Sequence, residues 1–249
     1  MRLTTVVRDL VEICYPAVCA YCEGSCGGGG GFLCGECLAE LRELEGKVAC
    51  ERCCMPLALA GSPCPRCLGR GLYPYEKVLR LAPFREPVRG LIHRMKYRRR
   101  WGLGEELADR LGALEAVKGV LTGTQLLVAV PLYWRRQLVR GYNQAGVIAG
   151  RIGRLCEIKV ARPVVRVRDT ETQTVLHSRE KREENLKGAF KVVRPGVVKG
   201  KHVVVVDDVM TTGATLQSIG RALKKAGAAS LCAIVVAAAD PRGMGYEAV

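Results

Sequence analysis

The sequence predicts an α/β fold, an open parallel sheet flanked by helices, with a small cysteine-rich module at its N-terminal end. Residues 203–206 are four consecutive valines, and residues 126–130 form a second short apolar run. Runs of this kind are typical of strands buried on both faces, as in a parallel sheet covered by helices. Four Cys-x-x-Cys pairs lie before residue 68. We therefore expect two domains, residues 1–70 and residues 71–249.

The segment after the cysteine-rich module predicts one strand followed by helices. Residues 78–84 are typical of a strand, and residues 87–97 and 104–114 have helical periodicity. Pro131 ends the strand over residues 126–130.

A basic segment follows that strand and leads into an apolar helix. It contains Arg135, Arg136 and Arg140. A strand, a basic loop and a helix in this order are suited to binding pyrophosphate. The alternative is an ordinary solvated arginine-rich loop.

The most informative segment is residues 203–215, which begins with the four valines. Asp207 and Asp208 directly follow the valine run, at the strand end where open α/β sheets place their ligands. The next residues contain hydroxyls and Gly213 and open a helical pattern, as in a loop that binds phosphate at a helix N-terminus. Because carboxylates repel phosphate, they should face vicinal hydroxyls of the same ligand. A ribose 5-phosphate satisfies both ends; the alternative is a core strand that ends in an Asp-rich turn.

The cysteine spacing predicts two zinc sites. Dense cysteine in a reducing compartment indicates metal or catalysis, and tetrahedral zinc needs two Cys-x-x-Cys knuckles. Sequential pairing of the four knuckles leaves loops of eleven and ten residues, the spacing of short zinc ribbons, while an interleaved arrangement stays open. Cys54 directly follows Cys53 and is an alternative ligand. The predicted ligands are Cys19, Cys22, Cys34, Cys37, Cys50, Cys53, Cys64 and Cys67.

Positive charge is concentrated in the second domain. Residues 1–70 have seven Lys/Arg and eight Asp/Glu, a net charge of −1. Because the whole chain carries +15, residues 71–249 carry +16. The densest basic run interleaves cations with aromatic rings, which suits single-stranded nucleic acid. The alternative is a solvated helix end whose aromatic rings pack at the domain boundary. The nucleic-acid candidates are Lys96, Tyr97, Arg98, Arg99, Arg100 and Trp101.

The longest apolar stretch, residues 231–239, is too short to span a membrane, and Asp9, Glu12 and Pro16 interrupt any signal-peptide pattern at the N-terminus. We therefore expect no membrane insertion and a cytoplasmic location.

The segment 203–215 resembles the phosphoribosyl-pyrophosphate (PRPP) signature of type I phosphoribosyltransferases. The resemblance implies a type I phosphoribosyltransferase-like sheet that binds PRPP with Mg²⁺, and a mobile loop within residues 166–190. It also implies that Asp207 and Asp208 hold the ribose hydroxyls and orient the sugar in any catalysis. The residues implied to line the PRPP site are Asp207, Asp208, Met210, Thr211, Thr212, Gly213, Ala214 and Thr215.

The order of parts over nearly the whole chain resembles the ComF family, which is associated with DNA uptake in competent bacteria. The matching pieces include the cysteine array, Lys96-Tyr97, Arg140-Gly141-Tyr142-Asn143-Gln144 and the loop over 207–215. Cys54 departs from the family, which usually has glycine after the third knuckle. The resemblance implies PRPP binding, handling of single-stranded DNA in natural transformation, and possible protein partners in the competence machinery.

Two other functions stay open. One is an active phosphoribosyltransferase that transfers the phosphoribosyl group to a nucleobase or amine, with the cysteine-rich module in place of the usual hood. The other is a regulator that senses PRPP. Position 2 is arginine, so the N-terminal cysteine nucleophile of PRPP amidotransferases is absent from this sequence.

Overall fold

The fold rests on a five-stranded parallel sheet, seen in a computed structural model that describes residues 18–26, 32–98, 100–169 and 188–239. The strands of this sheet are β1 (Lys77–Pro83), β2 (Leu126–Ala129), β3 (Val160–Ala161), β6 (His202–Met210) and β7 (Ser230–Ala238), and β4 (Val164–Arg166) pairs with β5 (Phe190–Val192) in an antiparallel ribbon. The α-helices are α1 (Gly35–Leu44), α2 (Val88–Tyr97), α3 (Gly102–Ala113), α4 (Glu115–Thr122), α5 (Trp134–Arg140), α6 (Gln144–Leu155) and α7 (Ala214–Lys225). The expected parallel sheet flanked by helices is confirmed.

The strand order of the main sheet is β1-β7-β6-β2-β3, and every pair in it is parallel. From β2 the chain continues to β3 on one side, whereas from β6 it continues to β7 on the other side. The neighbours β2 and β6 therefore flank the point where the strand order reverses, and open α/β sheets bind ligands in the crevice at that point. The loops that follow these two strands are the ones that the sequence marks as basic and phosphate-binding.

Two apolar cores cover the two faces of the sheet. Because side chains alternate along a strand, Val203 and Val205 belong to one core and Val204 and Val206 to the other. The first core includes the apolar face of α7, and the second includes α2, α3 and α6. This double burial explains why the central strands are rich in consecutive apolar residues, as in the four valines of β6.

The cysteine-rich segment packs against both faces and covers the outer edge of β1. The side chain of Arg80 donates to the carbonyls of Lys47 and Val48 at 3.2 and 3.3 Å, and the N–H of Val78 donates to the carbonyl of Arg52 at 3.1 Å. The edge strand is thus paired by the chain itself, which protects an otherwise open row of backbone groups.

Two local expectations differ from the structure. The basic segment predicted as a loop is helix α5; it holds good helix formers and ends at Gly141, whose φ of 80° and N–H bond to the Gln137 carbonyl are a typical helix C-terminus. The strand predicted to end at the two aspartates continues to Met210, because β7 provides paired residues as far as Ala238. The loop expected within residues 166–190 falls mostly on 170–187, outside the described residues.

Candidate functional site

The phosphate loop, residues 211–215, joins β6 to α7 at the carboxyl edge of the sheet. Gly213 lies at the N-cap of α7 with φ 80°, a left-handed conformation that side chains rarely adopt. Thr212 is buried, and its hydroxyl accepts a bond from the N–H of Ala214 at 3.4 Å. The first N–H groups of a helix have no intrahelical partner, so the loop presents donors suited to a phosphate.

The two aspartates lie on opposite faces of β6. Asp207 shares the face of Val203 and Val205, and its Oδ1 accepts the N–H of Asp208 at 2.9 Å. Asp208 is on the other face, where its Oδ2 lies 3.0 Å from Nζ of Lys96 in α2. The two carboxylates predicted to hold one diol therefore lie on different faces of the strand, and Lys96 pairs with Asp208 from a distant part of the chain.

Asp207 has a strongly perturbed carboxyl group. Its pKa is raised to about 7, first because burial removes the carboxylate from water and then because Asp208 adds a nearby negative charge. The Asp208 N–H, Lys96 and Arg166 act in the opposite direction. A buried carboxyl that titrates near neutrality at a ligand crevice is typical of a functional residue.

The three arginines predicted for pyrophosphate do not act as one group. Arg136 lies 3.6 Å from the Asp169 carboxylate and close enough to Arg166 to lower its pKa, after burial as the larger cause. Arg135 instead covers the ring of Trp134 at 5.3 Å. Arg166 in β4 also interacts with Asp207, and sequence reasoning missed it because β4 carries no recognisable motif. Arg166 thus lies between Asp207 and Arg136, interacting with both.

The third arginine belongs to the basic aromatic surface. The guanidinium of Arg140 lies 5.2 Å from the centre of the Tyr97 ring. Tyr97 and Trp101 are 60% and 59% exposed, so they do not pack at a domain boundary as one reading of the sequence expected. A cavity of about 440 Å³ lies beside them, lined by Trp101, Arg140, Tyr142 and Arg154 among others. Arg99 is outside the described residues.

The eight predicted cysteine ligands form two four-sulfur clusters in the sequential arrangement. The first cysteine cluster is Cys19, Cys22, Cys34 and Cys37, and the second cysteine cluster is Cys50, Cys53, Cys64 and Cys67. In each cluster the sulfur atoms all lie within 4.8 Å of one another, and the closest pairs are separated by 3.6 to 3.7 Å. Tetrahedral zinc with Zn–S bonds of about 2.3 Å needs sulfur atoms about 3.8 Å apart. Both clusters therefore fit a zinc ion.

Cys54 is not part of the second cysteine cluster. Its thiol is buried, and burial raises its pKa to about 12, although Arg80 and Arg66 lower it. Its φ of 51° is in the left-handed region, which residues other than glycine rarely adopt. Glu23 and Leu68 follow the last cysteines of two other knuckles and also have positive φ.

The two cysteine clusters contact different parts of the fold. Near the first, the ring of Tyr21 lies against Gly90 in α2 and the ring of Phe32 against Gly102 in α3. Near the second, Arg66 donates to the carbonyl of Thr212 in the phosphate loop. Just after it, the hydroxyl of Tyr75 donates to the carbonyl of Leu216 in α7 at 2.7 Å. The second cluster is therefore the one beside the phosphate loop.

None of the helices in the described part of the chain combines the length and apolar character needed to cross a membrane.

Comparison with known proteins identifies the family. The chain is 35% identical over 221 residues to DNA utilization protein YhgH of Escherichia coli strain K12, a match covering 87% of this chain and 94% of the relative. The chain belongs to the ComF family. It is also 32% identical over 216 residues to Competence protein F of Haemophilus influenzae, covering 84% of this chain and 91% of that protein. This ComF family protein matches the phosphoribosyl transferase domain over residues 139–245.

Among solved structures, a purine phosphoribosyltransferase from Pyrococcus horikoshii is 17% identical, with a TM-score of 0.33. The match covers 54% of this chain and 83% of that chain. That score is too low to support an inference.

Proposed function

We propose that this ComF family protein binds PRPP with Mg²⁺ in the crevice between β2 and β6. The observation that supports this most is the position of the phosphate loop: it follows β6 at the reversal of strand order, and β6 carries two carboxylates near its carboxyl end. Backbone N–H donors for a phosphate and carboxylate acceptors for a sugar diol therefore lie near each other, as a phosphorylated pentose requires.

Different residues of the crevice bind different groups of the ligand. The N–H groups at the start of α7 bind the 5-phosphate, while Asp207 and Asp208 accept the ribose hydroxyls. Lys96 holds Asp208 in the absence of ligand, and its charge lowers the cost of keeping two carboxylates together. Arg136 and Arg166 face the pyrophosphate end. Bound Mg²⁺ would neutralise pyrophosphate charge, since oxygen donors are its preferred ligands.

Calorimetric titration with PRPP and Mg²⁺ tests this site. The unaltered chain should bind, and the double variant Asp207→Asn, Asp208→Asn should lose binding while keeping its zinc. Asp109→Asn is the matched control, because Asp109 pairs with Arg151 on α6, away from the phosphate loop. Undiminished affinity in the double variant would contradict the assignment.

We propose that the basic aromatic surface around Tyr97 and Trp101 handles single-stranded DNA. The exposure of both rings and the arginine over Tyr97 support this, since exposed rings stack on bases and cations attract phosphates. The names of the relatives, which refer to DNA utilization and competence, support the same role. A cytoplasmic location and partners in the competence machinery are part of this proposal.

Oligonucleotide binding at several salt concentrations tests the DNA role. Arg98→Gln with Arg100→Gln should weaken binding and reduce the dependence of log K on log salt, because two phosphate contacts are lost. Arg221→Gln with Lys225→Gln removes the same charge from exposed positions of α7, on the other face of the sheet, and should change binding little. Equal effects of the two pairs would leave only general charge attraction and contradict a specific surface.

A second candidate function is phosphoribosyl transfer, supported by the 440 Å³ cavity next to the crevice. Tyr142 lines the cavity and is close enough to Asp208 for that carboxylate to raise its pKa, after burial as the larger cause. A nucleobase or amine in this cavity would be near the sugar. Pyrophosphate release on adding candidate acceptors would establish transfer, and PRPP-dependent binding of specific duplex DNA would indicate a regulator instead.

A further inference from the structure

Arg66 connects the second cysteine cluster to the phosphate loop. It lies between Cys64 and Cys67, so its backbone is fixed by two of the predicted zinc ligands. Its Nη2 donates to the carbonyl of Thr212. A Cβ atom at Gly213 would lie only 2.8 Å from the same Nη2. The knuckle therefore lies directly against the backbone of the loop at its one left-handed residue.

The other terminal nitrogen of this guanidinium is buried without an acceptor. Among the described residues, no group forms a hydrogen bond with Nη1 of Arg66. A buried donor of a charged group that lacks a partner is costly, and the cost falls when an anion lies nearby. A phosphate bound at the adjacent loop is such an anion, so phosphate binding should stabilise the buried guanidinium of Arg66 in this position.

The second cysteine cluster supplies negative charge beside Arg66. Four thiolates around one Zn²⁺ would leave a net charge of −2 next to the guanidinium. Removing the metal would take away both this charge and the rigid knuckle that holds Arg66.

We propose that Arg66 is a positioning residue through which the second metal centre and the phosphate loop are linked: metal in the second cysteine cluster favours phosphate binding, and phosphate binding slows metal release. The proposal rests on the proposed phosphate site. Thermodynamic linkage makes the effect on affinity reciprocal, since any coupling between two sites changes both affinities by the same factor, and we expect the tighter metal site to release its ion more slowly. The first cysteine cluster should not take part, because its contacts are with α2 and α3.

Zinc release from the full-length, zinc-loaded chain tests the link. Zinc transfer to a coloured chelating dye is followed with and without ribose 5-phosphate, whose binding is measured separately by calorimetry. One of the two zinc ions should leave about fivefold or more slowly when the sugar phosphate is bound, and the other should leave at an unchanged rate.

Two matched variants show whether Arg66 carries the link. Arg66→Met keeps the apolar stem and should still hold two zinc ions, but it should abolish the protection and weaken ribose 5-phosphate binding about tenfold. Arg52→Met is the control, because Arg52 occupies the same position in the other knuckle of the cluster but is exposed. It should behave like the unaltered chain.

The outcomes separate this inference from the proposed function. If the unaltered chain does not bind ribose 5-phosphate or PRPP, the phosphate site itself is wrong and the link fails with it. If the ligand binds but both zinc ions leave at unchanged rates, the link alone is overturned. This second result needs no variant, so it holds even if Arg66→Met does not fold.

Discussion

The two cysteine clusters have the same ligand set and nearly the same spacing, yet they do different work in the fold. The first cluster packs its neighbouring aromatic rings on two helices of one core, and the salt bridge from Glu23 to Arg94 lies at the surface. The second packs under the phosphate loop on the opposite face, where the neighbouring Arg66 contacts Thr212 and Gly213 and Tyr75 contacts Leu216. Similar cysteine clusters thus have different surroundings, which ligand spacing alone does not reveal.

The largest effect should come from breaking one cluster at a time. Cys64→Ser should remove one zinc ion and weaken PRPP binding at least about tenfold, because the knuckle that supports the phosphate loop is lost. Cys34→Ser should also remove one zinc ion but change PRPP affinity less than about threefold. Zinc analysis and calorimetry measure both, with exposed Cys156→Ser as the control. Equal losses of PRPP affinity in the two cluster variants would show that the clusters are equivalent.

Alanine at the glycines under the aromatic rings should separate the two regions by stability. A Cβ at Gly102 would lie 2.4 Å from the Phe32 ring, and one at Gly220 would lie 2.8 Å from the Tyr75 ring. Gly220→Ala should cost about 2 kcal/mol through overpacking, net of the helix propensity that alanine gains, because the Tyr75 ring is buried. Gly102→Ala should cost less, because the Phe32 ring is exposed and can shift. Gly112→Ala in α3 meets no atom within 4 Å and should be neutral or stabilising. Thermal denaturation of the three variants checks this order.

A smaller effect of the opposite sign should appear at Asp207. Because its folded pKa is raised to about 7, the folded state binds more protons than the unfolded state between about pH 4 and pH 7, and stability from this group falls as pH rises through that window. Asp207→Asn should therefore raise the free energy of unfolding at pH 7.5 by about 1–2 kcal/mol. At pH 4 it should have little effect.

The matched variant for Asp207 is again Asp109→Asn, on the face of the first cluster. It removes the negative charge and one of the two hydrogen bonds that Arg151 donates, at 2.6 and 2.9 Å, and so should lower stability slightly at pH 7.5. Denaturant titrations at the two pH values measure both variants. A loss of stability in Asp207→Asn at pH 7.5 would mean that this carboxylate is a structural group and would remove its distinction from Asp109.

The smallest effect should be at the surface pair beside the first cluster. Arg94 lowers the pKa of Glu23 by a hydrogen bond and by its charge, but the carboxylate is largely in water. Exposed ion pairs contribute little to stability. Glu23→Gln should therefore leave the denaturation midpoint and the zinc content unchanged. A clear destabilisation would show that the first cluster depends on this pair.

The sequence was sufficient to predict the elements that depend on local pattern. Residues 203–206 predicted the central strand because burial on both faces demands apolar residues at every position. The glycine and hydroxyls over 211–215 predicted the loop, and the cysteine spacing predicted both clusters.

What the sequence could not show are contacts between distant segments. The pairing of Lys96 with Asp208 joins α2 to β6, and the bond from Arg66 to Thr212 joins residues 146 positions apart. Neither Lys96 nor Arg66 belongs to a local phosphate motif. Gly220 offers a partial signal, since a glycine in a helix interior is unfavourable and often marks a close approach. The individual roles predicted for Asp207 and Asp208 stay predictions until ligand binding is measured.

The covering of β1 by residues 46–52 has a consequence for how the chain can be divided. In a shortened protein starting at residue 71, β1 would be an uncovered edge strand. Its unpaired N–H and C=O groups could form hydrogen bonds with the edge strand of another copy. We therefore expect such a fragment to self-associate rather than stay monomeric. By covering β1, the N-terminal segment should therefore reduce edge-to-edge association between copies.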